Sequence, residues 1–157
     1  MTKMIKIMFV CHGNICRSPM AEFVLADMLE KKHLSNRICV ASCAVSTEEI
    51  WNGVGNPVHP GTAAELARLG ISCKGKRAVL LQREDYDRYD LFVAMDQGNV
   101  RAMHRIFGGD PQGKICKLLD FTESGGDVAD PWYTDRFDIT MRDVRRGCTA
   151  LLEHLMQ

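Results

Sequence analysis

A cysteine and an arginine stand six positions apart in residues 10–19, whose sequence is VCHGNICRSP. An apolar segment precedes this run and an amphipathic segment follows it, so the run should form the turn between a strand and a helix. Backbone amides that face inward at the start of a helix form a cradle for a dianion such as phosphate. The same field would ionise a thiol at the floor of the cradle. The run therefore predicts a phosphate-transferring enzyme.

Three side chains of this loop suit phosphoryl transfer. The thiolate of Cys11 is a strong nucleophile, and a covalent step divides one difficult displacement into two. Arg17 offers a planar guanidinium that binds two phosphoryl oxygens and stabilises the charge that develops on them. Ser18 can donate a hydrogen bond to the Cys11 sulfur, which favours the thiolate. The alternative is a buried structural cysteine beside a helix-capping turn, and the surrounding pattern favours the nucleophile.

A second motif, residues 127–133 with the sequence DVADPWY, supplies a candidate acid. A phenol has a pKa of about 10 and leaves poorly as the anion, so aryl phosphate cleavage needs a proton donor. Asp130 is the best candidate, because the following proline fixes it in a polar loop with aromatic neighbours. Asp127 and Asp135 remain alternatives. Asp96 is predicted only to cap a helix.

The composition predicts one globular domain over residues 1–157, large enough to bury a core without metals or disulfides. Hydrophobic residues make up 46% and charged residues 25%, which is ordinary for such a domain. The 20 basic and 20 acidic side chains cancel. No global field then attracts nucleic acid or an anionic membrane. The apolar run at 7–10 is too short for a signal-peptide core or a membrane span.

The seven cysteines predict a reducing, cytoplasmic location. Their number is odd, they form no C-x-x-C motif, and they lack the even framework of a small secreted domain. The histidines do not cluster with cysteines at zinc spacing, so we expect no metal. Buried free thiols explain most of these cysteines.

Strands and helices alternate along the chain, which favours an α/β fold with a parallel sheet covered on both faces. Apolar runs predict strands at 5–10, 37–45, 91–95 and 115–118. Helical periodicity predicts helices that carry residues 21–29, 63–69, 100–107 and 141–155. Loops are expected at 46–60 and 120–135. On the first helix, Glu22 is expected on the solvent-facing side with Glu30, Lys31 and Lys32.

The chain resembles the low-molecular-weight protein tyrosine phosphatases. The resemblance is carried by the loop at 10–19 and by Asp130-Pro131 followed by two aromatic residues, with weaker matches at 41–42, 51–52 and 95–96. It implies one domain with a four-stranded parallel sheet, flavodoxin-like and of the phosphatase-I type. It also implies a hydrolase without metal or cofactor that acts on phosphotyrosine proteins and binds phosphate or vanadate in its pocket. A monomer is the default expectation.

The resemblance also implies roles for individual residues. Cys11 would form a phosphocysteine, Arg17 would bind phosphate, and Asp130 would act as acid and then as base. The phosphate-binding loop would comprise His12, Gly13, Asn14, Ile15, Cys16 and Ser18. Asn14 would hold that loop in shape with the help of Ser18 and Ser42. The walls of the substrate crevice would be Trp51, Asn52, Trp132 and Tyr133, with one of the last two facing the pocket.

Four positions call for separate interpretation. Related arginine phosphatases tend to carry threonine where this chain has Ile15, so isoleucine favours a phosphotyrosine-like ester. His12 is expected to face solvent as a neutral side chain; the alternative is that it adds positive charge near the pocket at low pH. The resemblance favours a reversible disulfide between Cys16 and Cys11 under oxidant, although Cys16 could simply fill the inner wall of the loop. Residues 72–77, SCKGKR, lack the histidine that often joins the asparagine–serine network, so we expect that member to be missing.

Two other functions compete with the phosphatase. An arsenate reductase on the same scaffold would need a resolving cysteine pair near residues 80–90, and this segment contains no cysteine. The other is a phosphate-binding module that keeps the pocket but does not turn over a substrate. The joint presence of Cys11, Arg17 and Asp130 argues against the module.

Overall fold

The computed structural model describes residues 3–157, so the first two residues of the predicted domain lie outside this description. The main sheet is built from β1 (Ile5–Cys11), β2 (Ile38–Ala44), β5 (Leu91–Ala94) and β6 (Ile115–Lys117). These strands are parallel and lie in the order β2-β1-β5-β6. The predicted four-stranded parallel sheet is therefore confirmed.

Within residues 3–157, five α-helices accompany the sheet. Their bounds are α1 (Arg17–Lys31), α2 (Pro60–Arg68), α3 (Gln97–Phe107), α4 (Pro131–Thr134) and α5 (Phe137–Leu155). Two short 3₁₀ helices, Arg83–Asp87 and Leu118–Phe121, lie in the connections. Gly70 follows α2 with a φ of 74°, as expected for a residue that ends a helix. Within residues 3–157, no helix is long and apolar enough to cross a bilayer.

Strand β1 is buried on both faces, which explains its unbroken apolar run. Its side chains alternate between two cores. Ile7 and Phe9 pack in the core that includes α1 and α5, whereas Met8 and Val10 pack in the core that includes α3. Cys11 continues the first of these series, so the strand delivers its thiol to the α1 side of the sheet.

Both predicted loops contain regular structure that the sequence did not indicate. The segment at 46–60 folds into a hairpin of β3 (Ile50–Trp51) and β4 (Val54–Gly55), which pair antiparallel. The segment at 120–135 contains the end of a 3₁₀ helix and the whole of α4. Elements of two to four residues are too short for a periodic pattern, and this is why they escaped prediction.

Candidate active site

The sulfur of Cys11 lies at the carboxyl end of β1, where the chain turns into α1. It is nearly buried and is surrounded by hydrogen-bond donors. The amides of Asn14 and Ser18 point to it at 3.3 and 3.4 Å, and the hydroxyl of Ser18 lies 3.0 Å away. Inward-facing amides at a helix start stabilise negative charge, whether on a thiolate or on a bound phosphate.

Asn14 holds this loop in shape. Its φ of 60° lies in the left-handed region, which asparagine tolerates better than most residues. Its side-chain amide donates to Ser18 Oγ at 2.8 Å and to Ser42 Oγ at 2.9 Å. Its Oδ1 accepts from the amide of Val79 at 3.1 Å. The structure thus brings together the three residues predicted to form the loop network, Asn14, Ser18 and Ser42.

Two further side chains extend this network, and the first of them corrects an expectation from the sequence. Glu22 does not face solvent but accepts a 2.5 Å hydrogen bond from Ser42 Oγ. Residues 72–77 supply no histidine to the network, but Lys76 Nζ from this segment donates to the Ser42 carbonyl oxygen at 3.0 Å. The ammonium group lies 3.7 Å from Glu22 Oε1. Helical periodicity placed Glu22 outward, but its contact with β2 depends on how α1 packs on the sheet.

Arg17 is buried and lies between two carboxylates. Its Nη1 is 2.9 Å from Asp96 Oδ2 and donates to the Val128 carbonyl oxygen at 3.2 Å. Its Nη2 is 3.4 Å from Asp130 Oδ2. Asp96 also caps α3 by accepting from the Asn99 amide at 2.8 Å. The cap was predicted, but the contact with Arg17 was missed. The position of Asp96 just after a parallel strand was the signal that could have indicated it.

The loop that carries Asp130 is anchored on both sides. Asp130 Oδ1 accepts from the Trp132 amide at 3.0 Å and so caps α4. The preceding residue, Ala129, donates its amide to Asp143 Oδ2 at 3.0 Å, and its carbonyl accepts from Thr140 Oγ1 at 2.8 Å. Both partners belong to α5, so the last helix fixes the carboxylate beside Arg17.

The two alternatives to Asp130 have other contacts. Asp127 forms a salt bridge with Lys117 at 3.1 Å. Asp135 has a φ of 55° and ends α4. Of the three aspartates weighed for the acid, Asp130 is the one that contacts Arg17.

A cavity of about 540 Å³ opens above Cys11. Trp132 and Tyr133 both line it, although only one of them was expected to face the pocket, and both are largely exposed to solvent. Trp51 and Asn52 are not among its lining residues. Trp51 lies in the β3–β4 hairpin with 79% of its surface exposed.

The remaining loop residues line the cavity or lie behind it. His12 and Ile15 line it. His12 is half exposed, as expected, and its Nε2 lies 2.9 Å from Glu48 Oε2. Cys16 also lines the cavity, and its pKa is raised to about 12, first by burial and next by the nearby Cys11. Cys16 is therefore a protonated thiol at neutral pH. Among residues 3–157, no group of three or more potential ligands could hold a metal ion.

These features together describe a candidate phosphatase site: a thiol in an amide-lined loop, a buried arginine and a carboxylate beside it. The comparisons with known proteins agree. A sequence model of the family described as "Low molecular weight phosphotyrosine protein phosphatase" matches residues 6–157. The chain therefore belongs to the low molecular weight protein-tyrosine-phosphatase family.

Individual relatives match over nearly the whole chain. The low molecular weight protein-tyrosine-phosphatase YfkJ of Bacillus subtilis is 38% identical over 156 residues, which cover 98% of this chain and 97% of the relative. The crystal structure of YfkJ superimposes with a TM-score of 0.92 and covers 98% of this chain and 96% of its own. The crystal structure of SP-PTP from Streptococcus pyogenes, 37% identical, gives a TM-score of 0.84 over 98% and 95% of the two chains.

Proposed function

We propose that this protein hydrolyses phosphotyrosine in proteins, and small aryl phosphates, through a phosphocysteine intermediate. The observation that carries the proposal is the convergence on one cavity of the Cys11 sulfur, the buried Arg17 guanidinium and the Asp130 carboxylate. Cys11 ends β1, Arg17 begins α1 and Asp130 caps α4, so the fold brings the three groups together from different elements.

In the first step the substrate phosphoryl group binds to Arg17 and to the amides of the loop that ends at Ser18. The Cys11 thiolate attacks phosphorus, and the bond from phosphorus to the tyrosyl oxygen breaks. Asp130 donates its proton to that oxygen, so tyrosine leaves as a neutral phenol. Arg17 stabilises the charge on the phosphoryl oxygens as it develops.

In the second step the Asp130 carboxylate takes a proton from water, and the resulting hydroxide attacks the phosphocysteine. The bond between sulfur and phosphorus breaks, which releases inorganic phosphate and returns the thiolate. Ser18 Oγ, 3.0 Å from the sulfur, stabilises that thiolate as the leaving group. Asp130 ends the cycle protonated, as it began.

The cavity walls support an aromatic ester as the substrate. Trp132 and Tyr133 are exposed beside the Cys11 pocket and offer apolar faces to a tyrosyl ring. Trp51 and Asn52 are proposed as a further wall, reached when a protein substrate covers the hairpin. The mechanism uses no metal and no cofactor. Phosphate and vanadate are proposed as competitive pocket ligands.

We place the protein in the cytoplasm as a monomer that neither binds nucleic acid nor spans a membrane. The support for the location is that all seven cysteines are free, which fits a reducing compartment. An arsenate reductase is disfavoured, because the segment at 80–90 provides no resolving cysteine and its 3₁₀ helix, Arg83–Asp87, contains none.

The deciding experiment compares turnover of p-nitrophenyl phosphate by the native protein and by Cys11→Ser. We expect the native protein to turn over and the variant to bind phosphate without turnover. Peptides that carry phosphotyrosine, phosphoserine or phosphoarginine then define the substrate, and we expect only the first to be cleaved efficiently. An inactive native protein that binds phosphate would identify a binding module instead.

A further inference from the structure

We propose that Lys76 is a positioning residue that acts on Cys11 through Glu22, Ser42, Asn14 and Ser18. The inference rests on the proposed function, because it assigns a role in forming the reactive thiolate. Lys76 lies outside both catalytic motifs and does not line the cavity, so it does not touch substrate.

Lys76 is largely buried and has two polar partners. Only 14% of its side chain is exposed, and 18% of that of Glu22. Its ammonium donates to the Ser42 carbonyl at 3.0 Å and faces Glu22 Oε1 at 3.7 Å. A carboxylate at this depth needs a charged partner, because removing one member of such a pair leaves the other uncompensated. Lys76 therefore provides the charged partner of the Glu22 carboxylate beside Ser42.

The Glu22 carboxylate fixes the direction of the first hydrogen bond in this series. The Asn14 side chain, whose Oδ1 accepts from the Val79 amide, fixes the next two. A carboxylate only accepts, so the 2.5 Å contact commits the Ser42 hydroxyl proton to Glu22. Ser42 Oγ must then accept from the Asn14 amide at 2.9 Å. The second proton of that amide goes to Ser18 Oγ at 2.8 Å.

Ser18 is thereby left with one proton to donate. It can give this proton to the Cys11 sulfur at 3.0 Å or to the Cys43 carbonyl at 3.4 Å, and the shorter contact is the sulfur. A hydroxyl that donates to sulfur favours the thiolate over the thiol. The Lys76 ammonium thus supports the Cys11 nucleophile through four side chains.

The test uses Lys76→Met, which keeps the aliphatic stem and removes the charge, and Lys76→Arg, which keeps the charge. The readouts are kcat and KM for p-nitrophenyl phosphate and the pH midpoint at which iodoacetamide alkylates Cys11. We expect Lys76→Met to lower kcat about tenfold while KM changes less than about twofold, and to move the alkylation midpoint up by about one pH unit. Lys76→Arg should stay within about twofold of native kcat.

Lys114→Met is the matched control. Lys114 Nζ also donates to a backbone carbonyl, that of Tyr86 at 2.6 Å, but it has no contact with the network. This variant should keep the native kcat and the native alkylation midpoint. Thermal melting of each variant separates loss of fold from loss of positioning.

A double-mutant cycle with Glu22→Gln tests the route. If Lys76 acts through Glu22, Lys76→Met should add little to the loss already caused by Glu22→Gln. Native kcat and an unmoved midpoint in folded Lys76→Met would overturn the inference, as would fully additive losses. Should Lys76→Met not fold, Lys76→Gln takes its place with the same expectations. Failure of the proposed function can be told apart from failure of this inference, since the native protein itself would then show no turnover.

Discussion

Arg17 Nη1 lies 2.9 Å from Oδ2 of Asp96, whose other carboxylate oxygen caps α3. One aspartate therefore fixes both the guanidinium and the start of the helix that follows β5. Because α3 packs on the sheet, the orientation of Arg17 is tied to the core and not only to its own loop. The carboxylate of Asp130 reaches Arg17 from the other side at 3.4 Å.

The contact between Asp96 and Arg17 predicts a loss of activity that is separable from stability. Asparagine caps helices as well as aspartate does, so Asp96→Asn should keep α3 intact. The Arg17 guanidinium then loses its charged partner and is oriented less well toward the phosphoryl group. We therefore expect kcat/KM for p-nitrophenyl phosphate to fall about tenfold. Asp96→Ala should show the same kinetic loss and an additional destabilisation of about 1 kcal/mol in chemical denaturation. Equal kcat/KM in Asp96→Asn and native protein would contradict this role.

The proton-donor role of Asp130 predicts a dependence on the leaving group. Asp130→Asn keeps the cap on α4 but provides no acidic proton. It should slow phosphotyrosine cleavage by about 10²-fold or more, while an activated aryl phosphate whose phenol is already acidic is slowed far less. Steady-state rates over a series of substituted phenyl phosphates give the measurement. A uniform loss across the series would move the acid to another residue.

The loop at 10–19 and the succession of strands and helices along the chain could be predicted, because both depend on local sequence. The run that precedes Cys11 is apolar because β1 is buried on both faces, and the glycine, asparagine and Ser-Pro mark the turn into α1. The contacts of Glu22 with Ser42 and of Asp96 with Arg17 were not predicted. They join residues that are distant in sequence, and helical periodicity does not report such contacts.

The hairpin that carries Trp51 also shows what a local sequence pattern does not predict. A loop rich in glycine and asparagine predicts a turn but not where its side chains point. The structure leaves Trp51 exposed and away from the lining of the cavity, whereas Trp132 and Tyr133, one residue apart, both line it. Adjacent residues can share one pocket here because they sit in the single turn of α4 at its rim.

This arrangement predicts unequal contributions to substrate binding. Tyr133→Leu should raise KM for phosphotyrosine peptides several-fold, because a wall of the cavity is removed. Trp51→Leu should have a smaller effect on p-nitrophenyl phosphate than on a peptide, since the hairpin is reached only by a larger substrate. Michaelis constants for both substrates with both variants give the comparison. Equal KM increases for Trp51→Leu on the two substrates would instead place Trp51 against the aryl ring.

The left-handed backbone of Asn14 predicts a difference between two substitutions. Both Asn14→Ala and Asn14→Gly lose the hydrogen bonds to Ser18, Ser42 and Val79. Only glycine adopts a φ of 60° without strain, so Asn14→Ala should be less stable than Asn14→Gly by about 1 kcal/mol. Urea denaturation measures the difference. Indistinguishable midpoints would mean that the loop relaxes once its hydrogen bonds are lost.

The environment of Cys16 predicts how the site responds to oxidant. Its pKa of about 12 lies above the usual 9.0, so Cys16 is a protonated thiol below about pH 12 and iodoacetamide at pH 7 should modify Cys11 first. The charge on Cys11 is the second cause of that raised pKa. Peroxide converts Cys11 to a neutral sulfenic acid, which removes this cause and makes Cys16 a better nucleophile.

Attack by the Cys16 sulfur would then form the disulfide and release water, and a dithiol would restore both thiols. Native protein treated with peroxide and then dithiothreitol should recover most of its activity. Cys16→Ser should recover far less, because its sulfenic acid is oxidised further to forms that dithiols do not reduce. Recovery to the same level in both proteins would leave Cys16 as a residue that only fills the inner wall of the loop.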